Sequence, residues 1–237
     1  MKEIFERYLQ HFDLTNPDIK KKRIHTYQVA ENCLEIAKSL GLSEQDQILA
    51  YQIGILHDIG RFHQLELTNS YDDQVFDHAD YGAQLLFDQG LISTFPVRVE
   101  NYEVVRKAIV NHNKYEIEDG LEERTKLFCK LIRDADKIDI LELSCDGMIQ
   151  TRLDGPASPD ILMQLERHQS AKVTQIRSNI DRILIRIGFF YNLYFLPSMQ
   201  IVFDREIVKR LEDKIEDDIV HRELERAQRY LKERLKC

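Results

Sequence analysis

His57 and Asp58 stand side by side at the end of an apolar stretch, residues 50–56, and are followed at once by Ile59, Gly60 and Arg61. An ionisable pair in that setting is poorly hydrated, and a buried carboxylate requires a cation, a metal or several hydrogen bonds. Whatever fold the chain adopts must bring those partners to the pair. Suitable donors lie at His25 upstream and at His78, His112 and Asp136 downstream, each on or beside a helical pattern. These six nitrogen and oxygen donors suffice for one or two divalent metals. Imidazole and carboxylate together suit Fe, Mn, Ni, Co or Zn rather than calcium. One helix presents only two or three side chains to a point, so such a site has to draw on several helices.

The chain supplies those helices. Nine Gly and five Pro leave little material for the many tight turns of an all-β fold, and the apolar periodicity is helical. The expected class is all-α. Asn16 before Pro17 reads as an N-cap followed by proline at the first helical position. Ile24, Tyr27, Ala30, Leu34 and Ala37 then recur at three- and four-residue steps, and Gly41 supplies a stop. Ser43 with Asp46 starts the helix expected to carry His57 and Asp58. A short helix runs from about His78 to Gly90, and another from about Glu100 into His112. Residues 122–143 form a longer one, with Phe128, Leu131, Ile132, Ala135, Ile138 and Leu141 as its stripe. On that helix Asp136 is expected to point further inward than Asp134. The polar stretches 64–77 and 113–120 read as loops beside His57-Asp58 and His112, where substrate selection commonly resides. Asp154, Gly155 and Pro156 make a turn, and Ser158 before Pro159 reads as a cap that restarts a helix.

At 237 residues the chain suits one all-helical domain, with a core over about 20–145 and a C-terminal helical extension over about 146–237. In the last segment Val220, Leu224, Ala227 and Leu231 form a stripe expected to pack on the same chain, with a homodimer as the alternative. The net charge of −8 argues against a nucleic-acid partner held by phosphate contacts. Lys20, Lys21, Lys22 and Arg23 form the one basic cluster, read as a solvated helix face that could also rim an anion site. Four cysteines, Cys33, Cys129, Cys145 and Cys237, lack paired spacing and predict neither a disulfide framework nor a cysteine zinc site. The charged N-terminus and the short apolar runs predict no signal peptide and no membrane span, so the expected compartment is the cytoplasm.

The order His25, His57-Asp58, Asp136 resembles the HD-domain superfamily of metal-dependent phosphohydrolases. Residues 55–61 resemble its namesake motif and residues 134–139 its final carboxylate motif, while His78 and His112 resemble the extra ligands of members with a dinuclear centre. The likeness covers roughly residues 20–145. It implies that His25, His57, Asp58 and Asp136 bind a first metal, that His78 and His112 complete a second, and that Asp58 bridges. No Gly-Tyr-Pro motif follows His112, which sets the chain apart from the cyclic-dinucleotide phosphodiesterase branch.

The activity so implied is hydrolysis of a phosphoester of a small phosphorylated metabolite, most readily a nucleotide, by a metal-bound hydroxide attacking in line. Positive side chains should meet the remaining phosphate charge, with Arg61 the first candidate and Lys114 the second; Lys137 is a third that could equally pair with an acidic neighbour. Asp58 is the acid at the centre of this chemistry. Two other classes compete: a non-catalytic nucleotide-binding regulatory module, and a di-iron oxygenase on the same ligands.

Overall fold

The computed structural model describes residues 1–149 and 152–236, and among them it is built of helices with no strand, as the all-α expectation requires. The chain divides into two compact units, Met1–Asp136 and Lys137–Cys237. Among the described residues no helix is long and apolar enough to cross a membrane.

The first unit contains α1 (Lys2–Leu9), α2 (Pro17–Ser39), α3 (Glu44–Leu56), α4 (Ile59–Thr68), α5 (His78–Ala83), α6 (Tyr102–His112) and the first part of α7 (Glu123–Cys145). The cap signals act as written. Asn16 accepts from the backbone N–H of Asp18 and Ile19, and Ser43 accepts from that of Asp46. Gly41 takes the left-handed conformation, φ +68°, that closes α2.

Helices α2 and α3 approach each other at Gly54, where an added Cβ would lie 2.5 Å from the Cα of Ala30. That absence of a side chain lets His25 on α2 come near the end of α3. Ile53, Ile55, Leu56 and Ile59 are fully buried around the pair. At about 1.5–3 kcal/mol each, their burial offsets the cost of taking an aspartate out of water. Phe5, Tyr8, Phe12 and Phe62 pack edge-on and tilted, fixing α1 against α4.

Three local expectations are corrected. Ile24 is exposed; of the expected stripe Ala30 and Ala37 are buried, and the buried face of α2 also takes in His25, Thr26, Val29, Asn32, Cys33 and Ile36. The inward polar residues pull the helix round, because they have partners there that hydropathy ignores. His57 and Asp58 lie not within one helix but at a bend: α3 ends at Leu56 and α4 begins at Ile59, with Asp58 at φ −104°, ψ 17°. The loop read over 64–77 starts only after Thr68, since Gln64 and Leu65 are buried and continue α4.

The second unit holds the rest of α7, then α8 (Pro159–Glu166), α9 (Asn179–Ile187), α10 (Leu196–Asp204), α11 (Ile207–Glu212) and α12 (Asp218–Leu235). Buried Asp181 accepts from the N–H and hydroxyl of Ser158 and from the N–H of Arg177 and Ser178. Ser158 therefore stands at the start of α8 without its hydroxyl capping that helix; the stronger acceptor, a carboxylate, has captured it. The α12 stripe of Val220, Leu224, Ala227 and Leu231 is fully buried within this unit. Cys33, Cys129 and Cys145 are buried free thiols, and Cys237 lies outside the described residues.

Candidate metal centre

All six donors singled out in the sequence converge in the first unit, each delivered by a helix or its end. His25 comes from the middle of α2, His57 and Asp58 from the bend between α3 and α4, His78 from the first residue of α5, His112 from the last of α6, and Asp136 from α7. Asp58 is the hub, and its two oxygens face different neighbours. Around Oδ2 lie His25 Nε2 at 3.3 Å and His57 Nε2 at 3.4 Å. Asp136 Oδ1 completes that side, 3.1 Å from His25 Nε2 and 3.9 Å from His57 Nε2. Around Oδ1 lie His78 Nε2 at 2.9 Å and His112 Nε2 at 3.6 Å.

The proton positions follow from the partners on the far side of each ring. His57 Nδ1–H donates to the carbonyl of Gly54 at 2.7 Å, and His112 Nδ1–H to that of Ile109 at 2.6 Å. A carbonyl can only accept, so these protons sit on Nδ1 and each Nε2 carries a bare lone pair into the centre. His78 Nδ1–H donates to Asp73 Oδ1 at 2.6 Å, with the same result. His57 Nε2 is buried with no hydrogen-bond partner. His78 Nε2 lies 2.9 Å from His112 Nε2, an acceptor facing an acceptor.

Such a set is repulsive in itself and is reconciled by a cation among the lone pairs. His25, His57 and Asp136, and again His57, Asp58 and His112, place their ligand atoms within 4.8 Å of one another. That spacing suits donors sharing one ion at bond lengths of about 2.0–2.2 Å. The ring orientations, fixed by a carbonyl or carboxylate behind each Nδ1, are those of metal-binding histidines. The residues present thus fit a divalent transition metal.

Charge is arranged to keep the acids ionised. Burial pushes the Asp58 carboxyl up, but the Lys22 ammonium first and then the surrounding histidines together hold it well below the usual carboxylate range. Burial likewise opposes ionisation of Asp136, and His25 overrides it, so this carboxyl too is depressed. Burial pushes His112 down to about 4, aided by its neighbours His78 and His57 and opposed by Asp58, which keeps the ring neutral and able to ligate.

The candidate cations are placed unequally. Arg61 is buried beside the hub, Nε 3.8 Å from Asp58 Oδ1. Its guanidinium donates to Asp73 Oδ1 at 2.9 Å, to Gln64 Oε1, and to His78 Nε2 at 3.1 Å. Lys114 is half-buried and pairs with Asp77 at 2.6 Å and Asp80 at 3.2 Å, on the first turn of α5. Lys137 donates to the carbonyl of Asn192 at 2.7 Å, within the second unit. On α7, Asp134 is more buried than Asp136, contrary to the expected order; what distinguishes Asp136 is its contact with His25.

Two residues were missed in the sequence. Lys22, grouped with a solvated face, donates to Asp58 Oδ2 at 2.5 Å. Its position three before His25, on the same helix face, was the available signal. Asp73, inside a polar stretch, orients His78; nothing in its spacing marks it. His63 packs on Phe12, and His168 stacks on Tyr191, in keeping with structural roles.

No curated protein and no solved structure matches the chain significantly. A family model described as HD domain matches residues 23–141, half of the chain, opening just before His25 and closing just beyond Asp136. The matched span encloses every donor that converges on Asp58, and the chain belongs to the HD domain family.

Proposed function

We propose that this protein is a metal-dependent phosphohydrolase that hydrolyses a phosphoester of a small phosphorylated metabolite, a nucleotide in the first instance. HD domains are typical of metal-dependent hydrolases, and the observation that carries the reading is the division of donors between the two oxygens of Asp58. On this reading His25, His57, Asp58 and Asp136 hold one divalent ion, and His78 and His112 hold a second that shares Asp58. Such ions, when bound, supply Lewis acidity toward water and toward a phosphoryl oxygen.

The chain's own residues do the rest. The carbonyls of Gly54 and Ile109 and the carboxylate of Asp73 hold the imidazole protons on Nδ1, so that each Nε2 presents a lone pair, which on His78 Arg61 also approaches at 3.1 Å. Lys22 and Arg61 bring positive charge to both edges of Asp58 and keep it ionised at its oxygens. They also supply charge for a phosphate in an otherwise acidic chain. Lys114 stands further out, on Asp77 and Asp80, where it can meet the distal part of a substrate.

The test is phosphate release from a panel of nucleotides and sugar phosphates by metal-depleted protein, with and without Mn2+. Release should require the added metal and fall to background in His57→Ala and Asp58→Ala. Full release by Asp58→Ala would overturn the reading.

A further inference from the structure

The loop over residues 69–77 between α4 and α5 is tied to the centre more closely than a connecting segment needs to be. Gln64, fully buried on α4, donates through Nε2 to the carbonyl of Phe76 at 2.6 Å and to that of Asp72 at 3.2 Å. Arg61, one turn earlier, donates to the carbonyl of Tyr71 at 3.3 Å. The loop's far side is fastened to α2. Tyr71 donates its hydroxyl to Asp18 Oδ1 at 3.0 Å, and its ring lies 5.1 Å from the Lys21 ammonium and 5.6 Å from the Arg61 guanidinium. Inside this frame Asp73 accepts from His78 Nδ1, Arg61, Gln64 and, at 3.4 Å, Asn113.

The consequence is an asymmetry among the rings. His57 and His112 are oriented by carbonyls of their own helices, three residues back. The orientation of His78 depends on a side chain from the loop. Without Asp73, Nδ1–H loses its acceptor, and Arg61, which donates to His78 Nε2 at 3.1 Å, loses the carboxylate that holds its guanidinium in place; the ring is then free to take the other tautomer, in which Nε2–H faces Asp58 and His112 where a lone pair is needed.

We propose that Asp73 is a positioning residue that makes the second metal's ligand set conditional on closure of the 69–77 loop, with Tyr71 and Asp18 as its latch. This rests on the two-ion reading above. Closed, the loop presents Asp73 to His78 and completes the set. Opened, it withdraws the acceptor and weakens binding on the His78–His112 side, while the His25–His57–Asp136 side, whose groups meet one another and Asp58 Oδ2, is unaffected.

The experiment is titration of the metal-depleted full chain with Mn2+, followed by the EPR signal of the free ion, for wild type, Asp73→Ala, Asp73→Asn and Tyr71→Phe. A long-range 1H–15N histidine spectrum of each metal-free protein gives the tautomer of His78. The wild type should bind two ions and show His78 as the Nδ1–H form. Asp73→Ala should keep the first ion, weaken the second by about 10–100-fold, and show mixed tautomers. Asp73→Asn, whose amide oxygen still accepts from Nδ1–H, should restore most of both readouts, and Tyr71→Phe should weaken the second ion by a smaller factor. A wild type with a single site would overturn the two-ion reading and this inference with it. Two sites of unchanged affinity and an unchanged His78 tautomer in Asp73→Ala would overturn this inference alone.

Discussion

The close approach at Gly60 offers a direct test of how the fold sets the centre. Gly60 lies in the first turn of α4, two residues after Asp58, and an added Cβ would sit 2.2 Å from the carbonyl oxygen of His78 and 2.6 Å from the N of Gly82. Both are backbone atoms, so no side-chain rotation relieves the clash. Ordinary van der Waals contact begins at 3.4 Å, so in Gly60→Ala helix α5 must retreat by roughly 1 Å. Metal sites tolerate ligand displacements of about 0.2 Å. Since His78 is the first residue of α5, its Nε2 moves with the helix. Alanine gains about 1 kcal/mol of helix propensity over glycine, while overpacking of this kind costs about 1–3 kcal/mol and more where backbone meets backbone. With a backbone clash placing the cost toward the upper end of that range, the net loss should be about 1–2 kcal/mol, a fall in Tm of about 2–8 °C for a domain of this size. Calorimetry of the metal-free protein gives the first quantity and Mn2+ titration the second. The variant should retain its first ion and bind the second at least about tenfold more weakly. An unchanged Tm together with two ions of wild-type affinity would refute the claim that this contact sets the position of His78.

Further outcomes concern charge. Lys22→Ala should cost the metal-free protein about 3–5 kcal/mol by leaving buried Asp58 short of its nearest cation, and the loss measured in urea should shrink at saturating Mn2+; an equal loss in both states would count against a shared role at Asp58. On acidification, His112 has a folded value of about 4 against an ordinary 6.5, so the unfolded chain takes up the proton first. The stability tied to its neutral form is present above pH 6.5 and is lost as the pH falls toward 4. Asp58 and Asp136, both depressed, add a second loss only below the ordinary carboxylate range, so melting curves of the metal-free protein should fall in two stages between pH 7 and 3. A flat profile down to pH 5 would contradict the buried neutral His112. Lys114→Ala should change stability by less than about 1 kcal/mol, as its pairs with Asp77 and Asp80 are partly solvated; its effect should appear as a raised KM with kcat held, and a reduced kcat at constant KM would assign it to the reacting centre.

The donor set was legible in the sequence because its chemistry is carried by residue type. Histidines and acids on helical patterns, with one pair at the end of an apolar run, leave few structural alternatives to a shared site. Caps were equally legible at Asn16 and Ser43, where a side-chain oxygen meets a specific N–H. The bend at His57-Asp58 was not, because the apolar run continues through Ile59 and a periodicity reading passes over a break of two residues. Lys22, Gln64 and Asp73 escaped for a common reason: a polar residue without a known partner is read as surface, and each of these has its partner on a different element or a distant turn. Ile24 is the converse, an apolar residue counted inward that the inward-facing His25 displaces to the solvent side.

The spread of donors over separate helices and a bend also bears on how the first unit stays assembled. Ligands near positions 25, 57, 78, 112 and 136 are separated by intervals of about twenty to thirty-four residues, each of which an ion would close into a loop, much as a multi-point clasp would. Two ions sharing Asp58 would together cross-link all the elements that carry these ligands. Their departure would be felt as loosening throughout the unit and not only as a lost reactive group. At a hundredfold excess over Kd a single bound ion adds about 2.7 kcal/mol, a sizeable fraction of what holds a domain together. The abundance of the protein would then follow the supply of its metal, through the rate at which the unclasped form opens to exchange and to proteases.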